Sequence, residues 1–297
     1  MTPLDLVRLP PLMARTSGHP AIAIGLIDGP VAADHPDLAD TRRRDIAMPG
    51  GTACAVATST ACRHGTFIAG ILFARRGSIA PAICPGCTLV ARPIFGERTS
   101  LDGAMPAATP DELARAILDC LDAGVRVLNI SAAIAPGALR AERALDEALG
   151  RAADSGAIAI VASGNDGTLG STTLTRHPWV IPVVGYDGRG RPMGHSNFGG
   201  SIGRRGLGAP GDRITSLGSA DRPLTLGGTS AAAPFVTGAV ALLWSEVPDA
   251  SPAAIKLAIT QPVPGRRNSV VPPLLDAWRA WTACQTPRQL HTRKRWA

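Results

Sequence analysis

The sequence has no long apolar run and few aromatic side chains. No segment reaches the ~18 consecutive apolar residues of a membrane-spanning helix, and the N-terminus lacks a charged stretch followed by an apolar core of about 7–15 residues. We therefore predict no membrane association and no secretory signal, and we expect a cytoplasmic protein. Aromatic residues make up 4% of the 297 residues and hydrophobic residues 45%, so the core must consist mainly of Ala, Val, Ile and Leu.

Acidic side chains are also in the minority, with 23 Asp and Glu against 30 Lys and Arg and a net charge of +7. The arginines occur in scattered groups at 42–44, 75–76, 204–205 and 266–267. Because no aromatic residues are interleaved with them, nucleic-acid binding is not predicted. A solvated surface is the main interpretation, and attraction to an acidic peptide is the alternative. No pattern specifies an oligomeric state.

Metal-binding patterns are absent from the sequence. The six cysteines are Cys54, Cys62, Cys84, Cys87, Cys120 and Cys284. Cys84 and Cys87 form a CxxC pair without a second pair or a histidine cluster, so neither a zinc site nor a cofactor is predicted. Asp34 and Asp37 are interpreted as turn residues, since no calcium loop surrounds them.

Apolar strand-like segments alternate with helical ones along the chain. The strand-like segments are 21–27, 88–94, 125–131, 157–162 and 179–185, and the helical ones are 65–74, 110–123, 138–154 and 230–245. This alternation predicts an α/β three-layer sandwich with a mostly parallel central sheet and helices on both faces. We predict an N-terminal arm over 1–20, one domain over 21–285 and a basic C-terminal tail over 286–297.

Four residues form a candidate catalytic set. Asp28 ends an aliphatic strand, His64 lies at the start of an apolar helical run, Asn165 ends another strand, and Ser230 lies at the start of a helix in the sequence GTSAAAP. Each residue alone has a structural interpretation as a turn, core or capping residue. The remaining histidines are interpreted as structural or surface residues: His19, His35, His177, His195 and His291.

Together the four residues fit one mechanism. Ser230 would be the nucleophile, and His64 the base that takes its proton. Asp28 would orient the imidazole and stabilise its cation. Asn165 and the backbone N–H of Ser230 would bind the oxyanion of the tetrahedral intermediate.

The motifs IDG, HGTFIAGIL, ASGNDG and GTSAAAPFVTGAVALL, in this order, resemble those of the subtilisin-type serine peptidases. The resemblance runs from about Ile22 to Leu243, and it implies a serine endopeptidase with an Asp-His-Ser triad. Three departures do not remove a catalytic group: Gly29 directly follows Asp28, Ala231 replaces the usual Met, and Phe235 replaces a common His. Secreted members carry a folding pro-domain. Since 27 residues precede Asp28, we expect no such domain here, and a truncated sequence is the alternative.

A narrower resemblance links the chain to the proteases that mature cyanobactins by removing leaders from ribosomally made precursor peptides. It rests on residues 9–36, ACRHGTFIAGILF, residues 77–95 and HSNFGG at 195–200. It implies a precursor peptide as substrate. It also implies that Cys54 or Cys62 could pair with Cys84 or Cys87, whereas a reducing cytoplasm favours free thiols.

The family resemblance also implies the substrate-binding residues. One wall of the pocket for the P1 side chain, which precedes the cleaved bond, would contain Ser131, Ala132 and Ala133. The other wall would contain Ser163, Gly164 and Asp166. The alanine methyl groups would narrow the pocket, and Asp166 would favour a basic or polar P1 residue.

Other functions remain open from the sequence. One is a general intracellular degradative subtilisin, and another is an inactive peptide-binding scaffold. A macrocyclase is a variant of the precursor-processing enzyme, but the compact spacing of Asp28 and His64 favours hydrolysis.

Overall fold

A seven-stranded parallel sheet forms the centre of the molecule in a computed structural model, which describes residues 1–47, 54–97, 107–132, 139–219, 222–260 and 268–285. The strands are β1 (Ala23–Asp28), β2 (Arg42–Asp45), β3 (Thr88–Pro93), β4 (Val127–Ile130), β5 (Ile158–Ala162), β6 (Ile181–Tyr186) and β7 (Leu207–Pro210). Their spatial order is β2-β3-β1-β4-β5-β6-β7, with each neighbouring pair parallel. The predicted α/β class is confirmed.

Helices cover both faces of this sheet. The helices are α1 (Pro3–Leu6), α2 (Pro10–Arg15), α3 (Thr60–Phe73), α4 (Pro110–Asp122), α5 (Leu139–Asp154), α6 (Thr173–Arg176), α7 (Gly200–Arg205), α8 (Thr229–Glu246), α9 (Pro252–Thr260) and α10 (Ala277–Gln285). A short 3₁₀ helix spans Pro36–Leu38, and an antiparallel pair is formed by β8 (Ile214–Ser216) and β9 (Leu224–Leu226).

Two apolar cores lie on opposite faces because side chains alternate along each strand. In β1, Leu26 packs with α3 and α8 on one face, whereas Ile27 packs with α4 and α5 on the other. The alternation predicted from the sequence therefore produces three layers. α4 begins as predicted, with Thr109 and Glu112 forming a reciprocal capping box.

The N-terminal arm packs on the same core as the rest of the chain. Val7, Leu9 and Leu12 are fully buried in the core that contains α8. The guanidinium of Arg76 donates hydrogen bonds to the carbonyls of Met13, Thr16 and Ile83, which tie α2 to the domain. The boundary at residue 20 stays a prediction, and the predicted tail over 286–297 lies outside the described residues.

Two edge strands, β2 and β7, are not predicted from the sequence, and α3 begins earlier than predicted. β2 is Arg-Arg-Arg-Asp, mostly exposed at the sheet edge, so it has no apolar signal. β7 contains Gly and Pro, which are poor strand formers. α3 begins at Thr60 rather than 65 because Ser59 caps it by accepting a hydrogen bond from the Cys62 N–H.

No helix in the described part of the chain is long and apolar enough to cross a membrane. The chain runs from β1 to β2 and β3 on one side of the sheet, and then to β4 and the remaining strands on the other. In open α/β sheets, such a reversal leaves a crevice at the carboxyl ends of the strands, where sites form. Asp28 is the last residue of β1 and lies at this reversal.

Candidate active site

A buried hydrogen bond joins two residues of the predicted triad. Oδ1 of Asp28 is 2.7 Å from Nδ1 of His64 and also accepts the N–H of Gly29 at 2.6 Å. β1 delivers the carboxylate, and the first turns of α3 deliver the imidazole. The close approach of the two elements depends on Gly65, where a Cβ atom would lie 2.3 Å from the Gly29 carbonyl oxygen.

The environment of His64 favours its protonated form. Burial acts to lower the pKa of His64, but the negative charge of Asp28 and the hydrogen bond to it act in the opposite direction. The net result is a pKa above the ordinary value of 6.5. The side chain of Asp28 is fully buried and that of His64 is 10% exposed, so water screens this pair little.

Ser230 lies in the first turn of α8, which packs against α3. The first N–H groups of a helix have no intrahelical acceptor, so the backbone N–H of Ser230 is suited to bind negative charge. Among the described hydrogen bonds, the His64 ring contacts Asp28 and not Ser230. Catalytic hydrogen bonds are often loose without substrate and tighten when it binds.

A buried chain of polar side chains, Thr237, Asn129 and Ser131, connects to the backbone at the start of α8. The Thr237 hydroxyl donates to Oδ1 of Asn129 at 2.8 Å, and Nδ2 of Asn129 donates to Oγ of Ser131 at 2.9 Å. The Ser131 hydroxyl in turn donates to the backbone carbonyl of Ser230 at 3.3 Å. Asn129 and Thr237 were not predicted from the sequence, although a polar residue in the middle of an aliphatic strand is a signal that indicates Asn129.

Asn165 lies beside the start of α8, in an exposed loop after β5. Its Oδ1 accepts the backbone N–H of Thr229 at 2.9 Å, and the Thr229 hydroxyl accepts the N–H of Gly164 at 3.2 Å. With Oδ1 engaged, Nδ2 is the amide group that remains for a substrate oxygen. Asn165 thus contacts Thr229, the residue that precedes Ser230.

The predicted P1 walls follow the ends of two adjacent strands. Ser131 and Ala132 come directly after β4 and are buried, and Ala133 lies outside the described residues. Ser163 is buried after β5, and its hydroxyl has no hydrogen-bond partner within the described chain. Asp166 is exposed, and its Oδ2 accepts a hydrogen bond from Nδ2 of Asn197 at 3.1 Å.

The cysteine pairing implied by the family resemblance is wrong, and so is the expectation of free thiols for Cys54 and Cys62. Cys54 forms a disulfide with Cys62, with Cα atoms 5.5 Å apart, and neither pairs with Cys84 or Cys87, which are buried thiols. Cys84 and Cys87 are close to each other on the turn before β3, whereas Cys54 lies beside the start of α3. Cys120 lies on the buried face of α4, where its thiol packs into the core on that side of the sheet.

One group of metal-ligand atoms occurs in the described residues. The sulfur atoms of Cys54 and Cys62 and a carboxylate oxygen of Glu97 lie within 4.8 Å of one another. The sulfurs are bonded to each other and are not the thiolates that bind metals. Glu97 accepts hydrogen bonds from the N–H groups of Ala55 and Val56, so it holds the loop next to the disulfide.

Similar proteins are found both by sequence and by structure. A thermostable alkaline protease from Halalkalibacterium halodurans is 28% identical over 199 residues, which are 67% of this chain and 51% of that protein. The chain therefore spans about half the length of this curated relative.

Two solved structures resemble the fold closely. A variant of the protease domain of PatA has a TM-score of 0.81 and 27% identity, covering 90% of this chain and 96% of that one. The prenylagaramide maturation protease PagA has a TM-score of 0.78 and 26% identity, covering 93% and 98%. The profile of the subtilase family matches residues 19–272. The chain belongs to the subtilase family of serine peptidases.

Proposed function

We propose that this protein is a serine endopeptidase in which Asp28, His64 and Ser230 form the catalytic triad and Asn165 binds the oxyanion. The observation that carries the proposal is the buried 2.7 Å hydrogen bond between Asp28 and His64 at the sheet reversal. The position of Ser230 in the first turn of α8 and the contact of Asn165 with Thr229 support it. A peptidase of this kind needs no cofactor.

The proposed reaction proceeds through an acyl-enzyme. His64 takes the proton of the Ser230 hydroxyl while Oγ attacks the substrate carbonyl carbon. The carbonyl oxygen becomes an oxyanion and accepts hydrogen bonds from Asn165 Nδ2 and the Ser230 N–H. Protonated His64 then gives its proton to the leaving amine. Water, deprotonated by His64, hydrolyses the ester in the second half of the reaction.

Labelling with a fluorophosphonate probe tests this assignment. We expect modification of the folded protein at Ser230, identified by peptide mapping, and loss of labelling in Ser230→Ala and His64→Ala. Ser245→Ala, which lies at the other end of α8, is the matched control and should label normally. Failure of the folded wild type to react would contradict the proposal and favour an inactive peptide-binding scaffold.

We further propose that the substrate is a precursor peptide from which a leader is removed. The fold similarity to the PagA maturation protease supports this choice over a degradative enzyme. The substrate would add as an extended strand along residues 131–133. A proteome-derived peptide library read by mass spectrometry tests it: a narrow cleavage motif is expected, whereas broad cleavage, together with digestion of casein, would indicate a degradative subtilisin.

Hydrolysis is proposed as the outcome rather than macrocyclisation. Between Asp28 and His64, the described residues contain only a 3₁₀ helix, strand β2 and the start of α3, with 48–53 outside the description. A cyclase needs an element that excludes water from the acyl-enzyme. Product masses decide the question, because hydrolysis adds the mass of water to the cleaved pair and cyclisation does not.

A cytoplasmic location stays part of the proposal, and the Cys54–Cys62 disulfide weighs against it because such bonds persist mainly in oxidising compartments. Alkylation of thiols in intact cells, followed by mass spectrometry of the residues around Cys62, tests this point. An alkylated pair is the result that a reducing cytoplasm predicts, and an unmodified disulfide would indicate an oxidising location.

A further inference from the structure

The side chain of Asn197, in the segment that follows β6, forms hydrogen bonds with the loop around Asn165, residues 164–168, which we call the oxyanion loop. Oδ1 of Asn197 accepts the N–H groups of Asp166 at 3.0 Å and Thr168 at 3.1 Å. Its Nδ2 donates to Oδ2 of Asp166 at 3.1 Å, and its backbone N–H donates to the carbonyl of Gly164 at 2.9 Å. Asn197 belongs to the HSNFGG motif, to which the mechanism above assigns no role.

These contacts involve the residues that precede and follow Asn165 in the sequence. Asn197 holds Gly164, the residue before Asn165, and Asp166, the residue after it. The approach is close: Gly164 has a φ of 105°, and a Cβ atom there would lie 2.2 Å from Nδ2 of Asn197. This close contact leaves no room for a side chain at position 164, and the hydrogen bonds oppose movement of the loop away from Asn197.

The support itself is anchored to the sheet. Ser196 is fully buried, and its hydroxyl accepts the N–H of Gly185 in β6 at 3.2 Å. Phe198 donates its N–H to the Thr168 carbonyl at 2.9 Å. Residues 196–198 thus connect strand β6 to the solvent-exposed oxyanion loop through hydrogen bonds.

Stabilisation of the oxyanion depends on a hydrogen-bond donor that is correctly oriented before the negative charge develops. Asn165 is exposed, and among its described hydrogen bonds the side chain is held by one, from Thr229. A second constraint is needed to fix the backbone from which this amide projects. The contacts of Asn197 supply it.

We propose that Asn197 is a positioning residue for the oxyanion site, which acts through Asn165 by holding residues 164–168. This inference rests on the proposed peptidase function. Its consequence is that loss of the Asn197 amide lowers the rate of acylation rather than the affinity for substrate.

A double-mutant cycle tests the inference. Asn197→Ala should lower kcat by about 10- to 100-fold with little change in KM, the size expected when a catalytic group is displaced by a fraction of an ångström to about 1 Å. In an Asn165→Ala background, the same substitution should change kcat by less than about threefold, since the donor that it positions is gone. Asn268→Ala, at an exposed position, is the control and should leave kcat unchanged.

An exchange variant keeps the inference testable if Asn197→Ala does not fold. Asn197→Asp alone would place a carboxylate against that of Asp166 and should slow labelling by a fluorophosphonate probe. Combined with Asp166→Asn, it restores a hydrogen bond with donor and acceptor exchanged, and labelling should recover to within about threefold of the rate of the Asp166→Asn single variant. The small probe makes this readout independent of P1 preference.

The outcomes separate the two proposals. If Asn197→Ala lowers kcat by the same factor with and without Asn165, or if the exchange variant does not recover, Asn197 does not act through the oxyanion site and the inference is wrong. If Asn165→Ala itself leaves kcat unchanged, the oxyanion assignment in the proposed function fails, whatever Asn197 does.

Discussion

The carboxylate of Asp28 and the imidazole of His64 are joined by a 2.7 Å hydrogen bond between Oδ1 and Nδ1, across 36 positions of the chain. The pair is buried at the carboxyl end of β1, where the strand order reverses. In the proposed mechanism, the opposite ring nitrogen, Nε2, would exchange a proton with Ser230.

The activity should depend on the protonation of His64. Because the pKa of His64 is raised above 6.5 and the base must be neutral, kcat/KM should fall on the acid side with a midpoint above 6.5. Asp28→Asn should move the midpoint to lower pH, since burial alone disfavours the cation, and should lower kcat by about 10⁴-fold. A pH–rate profile of both proteins is the measurement, and an unshifted midpoint in the variant would contradict it.

The Asp28–His64 pair should stabilise the folded state more at low pH than at high pH, whereas the activity should rise with pH. A histidine with a raised pKa stabilises the folded state below its unfolded value of 6.5, and this contribution is lost as the pH rises through the folded-state pKa. We therefore expect the stability difference between wild type and His64→Gln to decrease from pH 6 to pH 8. Urea unfolding at several pH values measures it.

The buried polar chain that ends at the Ser230 carbonyl should raise the free energy of unfolding. Thr237→Val keeps the shape of the side chain but leaves Oδ1 of Asn129 without its donor, which should lower the free energy of unfolding by about 1–3 kcal/mol. Thr225→Val, at an exposed position in β9, is the control and should change it by less than about 0.5 kcal/mol. Equal stability of the two variants in urea unfolding would contradict the prediction.

The Cys54–Cys62 disulfide joins two residues that are 8 positions apart in the sequence, so it closes a short loop. Cys54→Ser should lower the free energy of unfolding by about 2.5 kcal/mol, the value that loop-closure entropy gives for such a short loop. A phosphine reductant should lower the stability of the wild type by a similar amount and leave the variant unchanged. A wild type that is insensitive to reductant after verified reduction would refute this account.

Substrate choice at P1 should depend on Asp166. The carboxylate belongs to the exposed residue that directly follows Asn165, so we expect a preference for basic or polar P1 residues over bulky aromatic ones. Asp166→Asn should reduce the preference for Arg and Lys while retaining cleavage after small residues. A P1-varied peptide library measures both effects, and a wild-type preference for aromatic residues would rule out the predicted pocket.

Local sequence signals were sufficient for the layered architecture and for the candidate triad. The alternation of aliphatic strands with amphipathic helices predicts the class because each pattern reflects burial of its own segment. Asp28, His64 and Ser230 are recognisable because each lies in a motif of adjacent residues. The edge strand β2 escaped detection because an exposed Arg-rich strand carries no burial pattern.

Contacts between distant segments were decided only by the tertiary structure. Asn197 reaches Asp166 across 31 positions, and Thr237 reaches Asn129 across 108. Cys54 pairs with Cys62 rather than with the CxxC pair because the start of α3 lies beside its loop. Such contacts depend on strand order and on which helix ends meet at the sheet reversal. The sequence by itself therefore determined the elements and the chemistry available, and the folded chain decided how they are held in place.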